Sequence, residues 1–117
     1  MSVGSSRRKD MRELNTKAKI YDAAMKKHGI AAQSMILAEE AGELVQATSK
    51  LLRLNDMSRL GEFKEQLAEE IADVQIMIEQ VSRYYGITAY MVSKQKFRKL
   101  VRLADRLEGA ACCSSNG

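Results

Sequence analysis

The sequence predicts an all-α protein, a four-helix bundle-like fold, and three observations support this class. The 117 residues include no proline, and aromatic residues make up only 5% of the chain. Strong helix formers dominate the composition, namely alanine, leucine, methionine, glutamate, lysine and arginine. Apolar residues recur at the three- and four-residue spacing of amphipathic helices. A chain of this length forms one domain and can bury a core if its helices pack well.

The first helix is predicted for residues 11–28. Three basic residues at its C-terminal end complement the helix dipole, and Gly29 follows in the position where glycine commonly ends a helix. His28, the only histidine, is therefore interpreted as a helix-end residue rather than as a catalyst. The apolar stripe of this helix consists of Met11, Leu14, Ala18, Tyr21 and Met25.

The other three helices follow from the same signals. The stretch 55–58 (Asn-Asp-Met-Ser) supplies turn and capping chemistry between the second and third helices. Because short connections join antiparallel neighbours, we expect these two helices to be antiparallel. Gly86 ends the third helix and Thr88 can cap the fourth. The predicted ranges are 31–53, 59–85 and 88–107.

The helical domain is predicted to span residues 10–108, between a flexible N-terminus (1–9) and a flexible tail (109–117). Cys112 and Cys113 are adjacent in that tail, which is neither a disulfide framework nor a metal-ligand spacing. No apolar run is long enough for a membrane span, and the basic N-terminus lacks the apolar segment of a signal peptide. We therefore expect a cytoplasmic protein that does not bind membranes.

Four acidic residues interrupt the apolar faces of the second and third helices. With about 100° per residue, Glu40 and Glu70 each lie at the centre of an apolar stripe. Glu43 and Asp73 follow at i+3, about 60° to the same side. The stripe around Glu40 consists of Ile36, Leu37, Leu44, Ala47, Leu51 and Leu54, and that around Glu70 of Phe63, Leu67, Val74, Met77, Val81 and Tyr84.

This placement predicts a metal site between the second and third helices. A carboxylate that faces a core costs several kcal/mol unless it is paired or protonated, and four together repel one another. Arg59, the one basic residue near the middle of either stripe, lies nearly three turns before Glu70. A divalent ion is the natural counter-charge. Oxygen ligands without histidine or cysteine favour Mg²⁺, with Mn²⁺ as a substitute, over Zn²⁺. The alternative is a set of ordinary surface glutamates.

These acids resemble a family motif. Glu39-Glu40-x-x-Glu43, a gap of 26 residues and then Glu70-x-x-Asp73 resemble the EExxE…ExxD signature of the MazG-like, all-α nucleoside triphosphate pyrophosphohydrolases. Dimeric dUTPases and phosphoribosyl-ATP pyrophosphohydrolase are relatives in that superfamily. The resemblance covers residues 30 to 107. It implies that Glu40, Glu43, Glu70 and Asp73 hold the metal, that Glu40 orients or deprotonates the attacking water, and that Glu39 contributes more weakly.

The basic fourth helix supplies the candidate phosphate ligands. In the resembling family a glycine follows the motif aspartate by 13 residues, and a phosphate-contacting lysine follows that glycine by about ten; Gly86 and Lys96 stand at those positions. Lys96 is therefore the first candidate and Lys94 the second. Relatives often have an aromatic residue and an asparagine where this chain has Met77 and Leu100, which leaves the base and sugar undetermined.

The function implied is Mg²⁺-dependent hydrolysis of an NTP or dNTP to its monophosphate and pyrophosphate. One alternative is phosphoribosyl-ATP hydrolysis. The other is a non-enzymatic helical module that binds nucleic acid or protein through the basic fourth helix. The net charge of +4 is not one block, since the acids gather in the central helices, and we do not expect nucleic acid as the partner.

The protein is also predicted to associate with itself. The two acidic helices carry apolar residues off their main stripes, and the core of one chain cannot easily cover so wide a surface. We expect a homodimer or a homotetramer. The residues concerned are Ala41, Val45, Leu52, Ile71 and Ile76.

Overall fold

The structure, a computed structural model, describes the backbone of residues 4–115 and the side chains of residues 16–109. Over that range it is all-α and contains no strand, which confirms the predicted fold class. The helices are α1 (Gly4–Leu52), a 3-10 helix (Met57–Arg59), α2 (Leu60–Tyr85) and α3 (Ala89–Ser115). The chain divides into two compact units, the first ending at Tyr85 and the second beginning at Gly86. None of the described helices is long and apolar enough to cross a membrane.

Gly29 divides α1 into two helical segments. Its backbone, with φ 82° and ψ 163°, is not helical and lies in a region that residues with a Cβ rarely adopt. We call residues 4–28 the N-terminal segment of α1 and residues 30–52 its C-terminal segment. The break confirms the predicted boundary between the first and second helices.

The contacts show that the chain changes direction at this break. Along the N-terminal segment, Lys17 pairs with Glu79 and Asp22 pairs with Arg83, each at 2.7 Å, so the residue numbers rise together on both partners. The C-terminal segment runs the other way, because Lys50 near its end shares a cleft with residues near the start of α2. The C-terminal segment and α2 are therefore antiparallel, as predicted.

The link between α1 and α2 has the predicted capping chemistry. The backbone N–H and the hydroxyl of Ser58 donate to Asp56 Oδ1 at 3.1 and 2.6 Å, which satisfies the end of the 3-10 helix. Gly86, at φ 67°, follows the last residue of α2. Thr88 Oγ1 accepts from the backbone N–H of Met91 at 3.2 Å and caps α3. These local signals were predicted correctly.

The core of the first unit follows the predicted stripes. The residues around Glu40 are partly buried, and Tyr21, Val74 and Met77 are buried. Tyr84 is the exception, because it lies at the end of the α2 stripe and is 53% exposed. The side chains of Met11 and Leu14, predicted for the first stripe, lie outside the described side chains.

Two helices extend beyond their predicted ends. α1 begins at Gly4 rather than near residue 11, and α3 continues to Ser115 rather than ending near Leu107. The physical reason is that no proline interrupts either end, and adding a residue to an existing helix is far easier than nucleating one. Whether these ends are flexible stays a prediction. Residues 1–3 and 116–117 lie outside the described residues.

Candidate metal centre

Three carboxylates converge between α1 and α2. Glu40 and Glu43 lie on one face of the C-terminal segment of α1 because they are three residues apart. Antiparallel packing places Glu70 of α2 opposite them. One carboxylate oxygen from each residue lies within 4.8 Å of the other two. The structure thus brings together three of the four predicted metal ligands.

Two of these carboxylates point inward. Glu40 Oε2 and Glu70 Oε2 are each buried and have no hydrogen-bond partner, and both residues are only partly exposed. Glu43 is exposed. A buried carboxylate oxygen without a partner is strongly disfavoured in its charged form. The cluster therefore combines two shielded oxygens with one carboxylate open to solvent.

The electrostatics of the cluster follow from this arrangement. Burial raises the pKa of the Glu40 carboxyl above its ordinary value, and the carboxylates of Glu43 and Asp73 raise it further. The pKa of Glu70 is raised by burial first and then by the same two neighbours. Asp73 is exposed and is not one of the three converging residues, but its charge raises the pKa of both Glu40 and Glu70. The four predicted acids therefore form one electrostatic group.

Arg59 does not neutralise this group. It pairs with Glu62 at 3.0 Å and lies over the ring of Phe63, 4.9 Å from the ring centroid. Both partners lie close to Arg59 in the first turns of α2, well before Glu70. The structure thus agrees with the argument that Arg59 is not the counter-charge of the buried acids.

The other predicted site residues are not joined to the cluster by a described contact. Glu39 is exposed on α1, next to Glu40. Lys94 and Lys96 are exposed on α3, which belongs to the second unit. The roles of these three residues stay predictions.

Two buried glutamines were missed in the sequence. Gln33 is 3% exposed, and its Nε2 donates to the carbonyl oxygen of Ala24 at 3.4 Å. Gln80 is 8% exposed, and its Oε1 has no hydrogen-bond partner. Each lies two helical turns from a predicted ligand and on the same face, Gln33 before Glu40 and Gln80 after Asp73. That spacing was the signal available in the sequence.

A polar contact that fastens the N-terminal segment of α1 to α2 was also missed. Tyr21 Oη donates to Glu79 Oε2 at 2.5 Å, and Lys17 Nζ lies 2.7 Å from the same oxygen. The bond to Lys17, followed by that from Tyr21, lowers the pKa of Glu79. The sequence places Tyr21 in the core stripe and carries no local signal for Glu79.

Comparisons of the chain with protein-family models, with curated proteins and with solved structures found no match. Support for a metal centre consequently comes from the residues themselves. Its geometric support is the convergence of Glu40, Glu43 and Glu70.

Proposed function

We propose that this protein is a MazG-like nucleotide pyrophosphohydrolase, which converts an NTP or dNTP to its monophosphate and pyrophosphate with Mg²⁺. The observation that carries the proposal is the convergence of Glu40, Glu43 and Glu70, with two buried oxygens that lack partners. Ordinary surface glutamates would turn toward water and away from one another. The motif resemblance supplies the reaction, and the geometry supports the metal.

The residues present fit a hard divalent cation. All the donors are carboxylate oxygens, which suit Mg²⁺ or Mn²⁺, and the two buried oxygens need a positive partner. Glu40, Glu43, Glu70 and Asp73 would hold the ion. When bound, Mg²⁺ supplies positive charge that stabilises the phosphate oxygens during phosphoryl transfer.

The side chains then have separate tasks in the reaction. Glu40 would orient a water molecule and accept its proton while the water oxygen attacks the α-phosphorus. The bond from the α-phosphorus to the bridging oxygen breaks, and pyrophosphate leaves. Glu39 would support the orientation of Glu40. Lys96, with Lys94 second, would bind phosphate oxygens through its charge.

The proposal includes self-association and a cytoplasmic location. We infer that a four-helix arrangement is completed by packing against another copy, because apolar side chains of the first unit remain exposed in the single chain. Val45 is 65% exposed and Ile76 is 44% exposed, and both belong to the predicted association surface. A homodimer or a homotetramer would cover them.

A triphosphate panel assayed with and without Mg²⁺ tests the proposed activity. We expect the parent to release pyrophosphate from at least one NTP or dNTP only when Mg²⁺ or Mn²⁺ is present. Asp73→Asn should lose most of kcat, whereas Lys96→Ala should act mainly on KM, provided its contact is similar in the ground and transition states. Glu65→Gln, an exposed change on α2, is the matched control and should leave both constants unchanged.

The same panel separates the alternatives. Hydrolysis of phosphoribosyl-ATP with no turnover of simple triphosphates would instead identify the protein as a phosphoribosyl-ATP pyrophosphohydrolase. Salt-sensitive binding of DNA or RNA that ignores Mg²⁺ and the acidic variants would select a binding module on α3. If well-folded Asp73→Asn hydrolyses every triphosphate at the parental rate, the proposed site is wrong.

A further inference from the structure

A cleft with a basic lining lies at one end of the first unit, where the C-terminal segment of α1 meets the start of α2. Its volume is about 510 Å³. Lys50, Arg53 and Arg59 line it, and Asp56 is the acid among its lining residues. We call this cavity the basic cleft. An excess of positive charge in a concave surface attracts anions.

Two of these cations are available to a ligand. Arg59 already pairs with Glu62, and Asp56 accepts from Ser58 as described above. Among the described side chains, neither Lys50 nor Arg53 forms an ion pair. The basic cleft therefore presents an ammonium group and a guanidinium group, both without an acidic partner, which is the donor set that phosphate oxygens prefer.

On α1 the basic cleft continues the face that carries the acids. Glu43 and Lys50 are seven residues apart, which corresponds to about 10.5 Å along the axis and a turn of about 20°. Helical side chains lean toward the N-terminus of their helix, which here is the direction of the acids. Arg53 shows this lean, because its Nε donates to the carbonyl oxygen of Ser49, one turn back, at 3.3 Å. Both long side chains thus extend toward the acidic cluster.

The relation is the same on α2. Gln66, which lines the basic cleft, lies one turn before Glu70 and about 40° around the helix from it. The basic cleft and the acidic cluster are therefore consecutive along the antiparallel pair of helices. An extended anion whose one end lies at the acids can reach the cations with its other end.

The charges of the proposed site require such cations. Four ionised carboxylates carry more negative charge than one divalent ion neutralises, and a triphosphate adds more. Among the described residues 30–85, the cations without an acidic partner are Lys50, Arg53 and Lys64. Lys64 lies about 120° around α2 from Glu70 and does not line the cleft. Lys50 and Arg53 are thus the cations of this range that are placed to meet the phosphate tail.

We propose that the basic cleft binds the β- and γ-phosphates of the substrate, with Lys50 and Arg53 as the charged donors, and so holds the pyrophosphate that leaves. This inference rests on the proposed function for the position of the α-phosphate. When the bond from the α-phosphorus to the bridging oxygen breaks, its electron pair stays on that oxygen. Negative charge on the pyrophosphate therefore increases, and the two cations stabilise it.

Binding of inorganic pyrophosphate with Mg²⁺, measured by titration calorimetry, tests the basic cleft without hydrolysis. The parent should bind pyrophosphate more tightly than inorganic phosphate. Lys50→Gln and Arg53→Gln should each weaken pyrophosphate binding by about fivefold, the effect of one exposed charge pair, and the double variant should weaken it further. Lys64→Gln removes the same charge outside the cleft and should retain the parental affinity. All these side chains are exposed, so the variants should keep the parental Tm.

The outcomes separate this inference from the proposed activity. Parental pyrophosphate affinity in the double variant, or an equal loss in Lys64→Gln, would overturn the inference even if triphosphates are hydrolysed. Phosphate binding as tight as that of pyrophosphate would also overturn it, because the cleft would then be a general anion site. Pyrophosphate binding that depends on Lys50 and Arg53, without hydrolysis of any triphosphate, would instead overturn the proposed activity and support the pyrophosphate site.

Discussion

The fold disfavours the charged forms of the Glu40 and Glu70 carboxyls. Their folded-state pKa values are raised, by burial first and then by Glu43 and Asp73. The folded chain therefore holds these two protons more tightly than the unfolded chain does. As the pH rises from the ordinary pKa of glutamate through the raised pKa values of the folded state, the contribution of these two carboxyls to the free energy of unfolding falls. At neutral pH the two carboxyls therefore lower the free energy of unfolding.

Glu70→Gln should therefore stabilise the metal-free protein, and more so as pH rises from about 4 to about 7. Thermal melts of parent and variant in a chelator would measure the difference in Tm at each pH. Acids with lowered pKa values, such as Glu62 and Glu79, act in the opposite direction but are present in both proteins, so they cancel in the difference. Glu65→Gln should show no such trend.

Adding Mg²⁺ should reverse the order of the two proteins. An ion that binds only the folded state raises its stability, and the parent keeps the carboxylate that the variant has lost. The parent should thus gain more in Tm than Glu70→Gln. Equal gains in both proteins would contradict the assignment of Glu70 as a ligand.

The four acids could be located from the sequence because their signal is local. An acid at the centre of a stripe with a second acid at i+3 determines which face both occupy. Gln80 carries no such signal, because glutamine is common on exposed faces. Its burial depends on the N-terminal segment of α1 packing over it, which is a tertiary event. The contact between Tyr21 and Glu79 is similarly set by packing between distant segments.

At the scale of the helices, Gly29 is the position where backbone conformation decides the fold. Its φ of 82° allows the two segments of α1 to pack on α2 in opposite directions. The glycine was recognisable in the sequence because basic residues precede it at a helix end. The start of α1 and the end of α3 were not recognisable in the sequence, because arginine, lysine and alanine allow a helix to continue and do not determine where it stops.

Gly29→Ala should lower the free energy of unfolding by about 1–3 kcal/mol, because a residue with a Cβ is disfavoured at this combination of positive φ and extended ψ. The space around Gly29 is open, so the loss would report backbone strain and not a clash. Gly61→Ala is the matched control: its backbone is helical, its surroundings are equally open, and alanine should raise stability by up to about 1 kcal/mol. Urea denaturation of both variants in a chelator would measure the two changes. A Gly29→Ala protein as stable as the parent would show that α1 does not need this break.

At the scale of the whole molecule, the main feature is the set of apolar side chains that stay exposed in the single chain. The first unit buries few large apolar side chains, and α3 exposes Tyr90, Phe97 and Leu100. The stripes around Glu40 and Glu70 identified apolar faces on the second and third predicted helices, but a stripe does not reveal which surface covers it. Charge suggests the answer, because residues 30–85 carry an excess of acids and α3 an excess of bases. Opposite charges on two parts of the chain favour contact between those parts, whether they belong to one chain or to two copies.

Self-association can be tested on α2 with a pair of adjacent exposed residues. Ile76→Glu places a charge on an apolar side chain that is 44% exposed, and should weaken a dimer or tetramer by burying an unpaired carboxylate in the contact. Gln75→Glu adds the same charge one residue away and should have a smaller effect, because a polar residue already stands there. Light scattering across a concentration series would measure the mass of the parent and both variants. If the parent has the mass of a single chain at every concentration, the exposed apolar residues do not form an interface. If both variants lose mass equally, the added charge disrupts the contact and Ile76 has no special part in it.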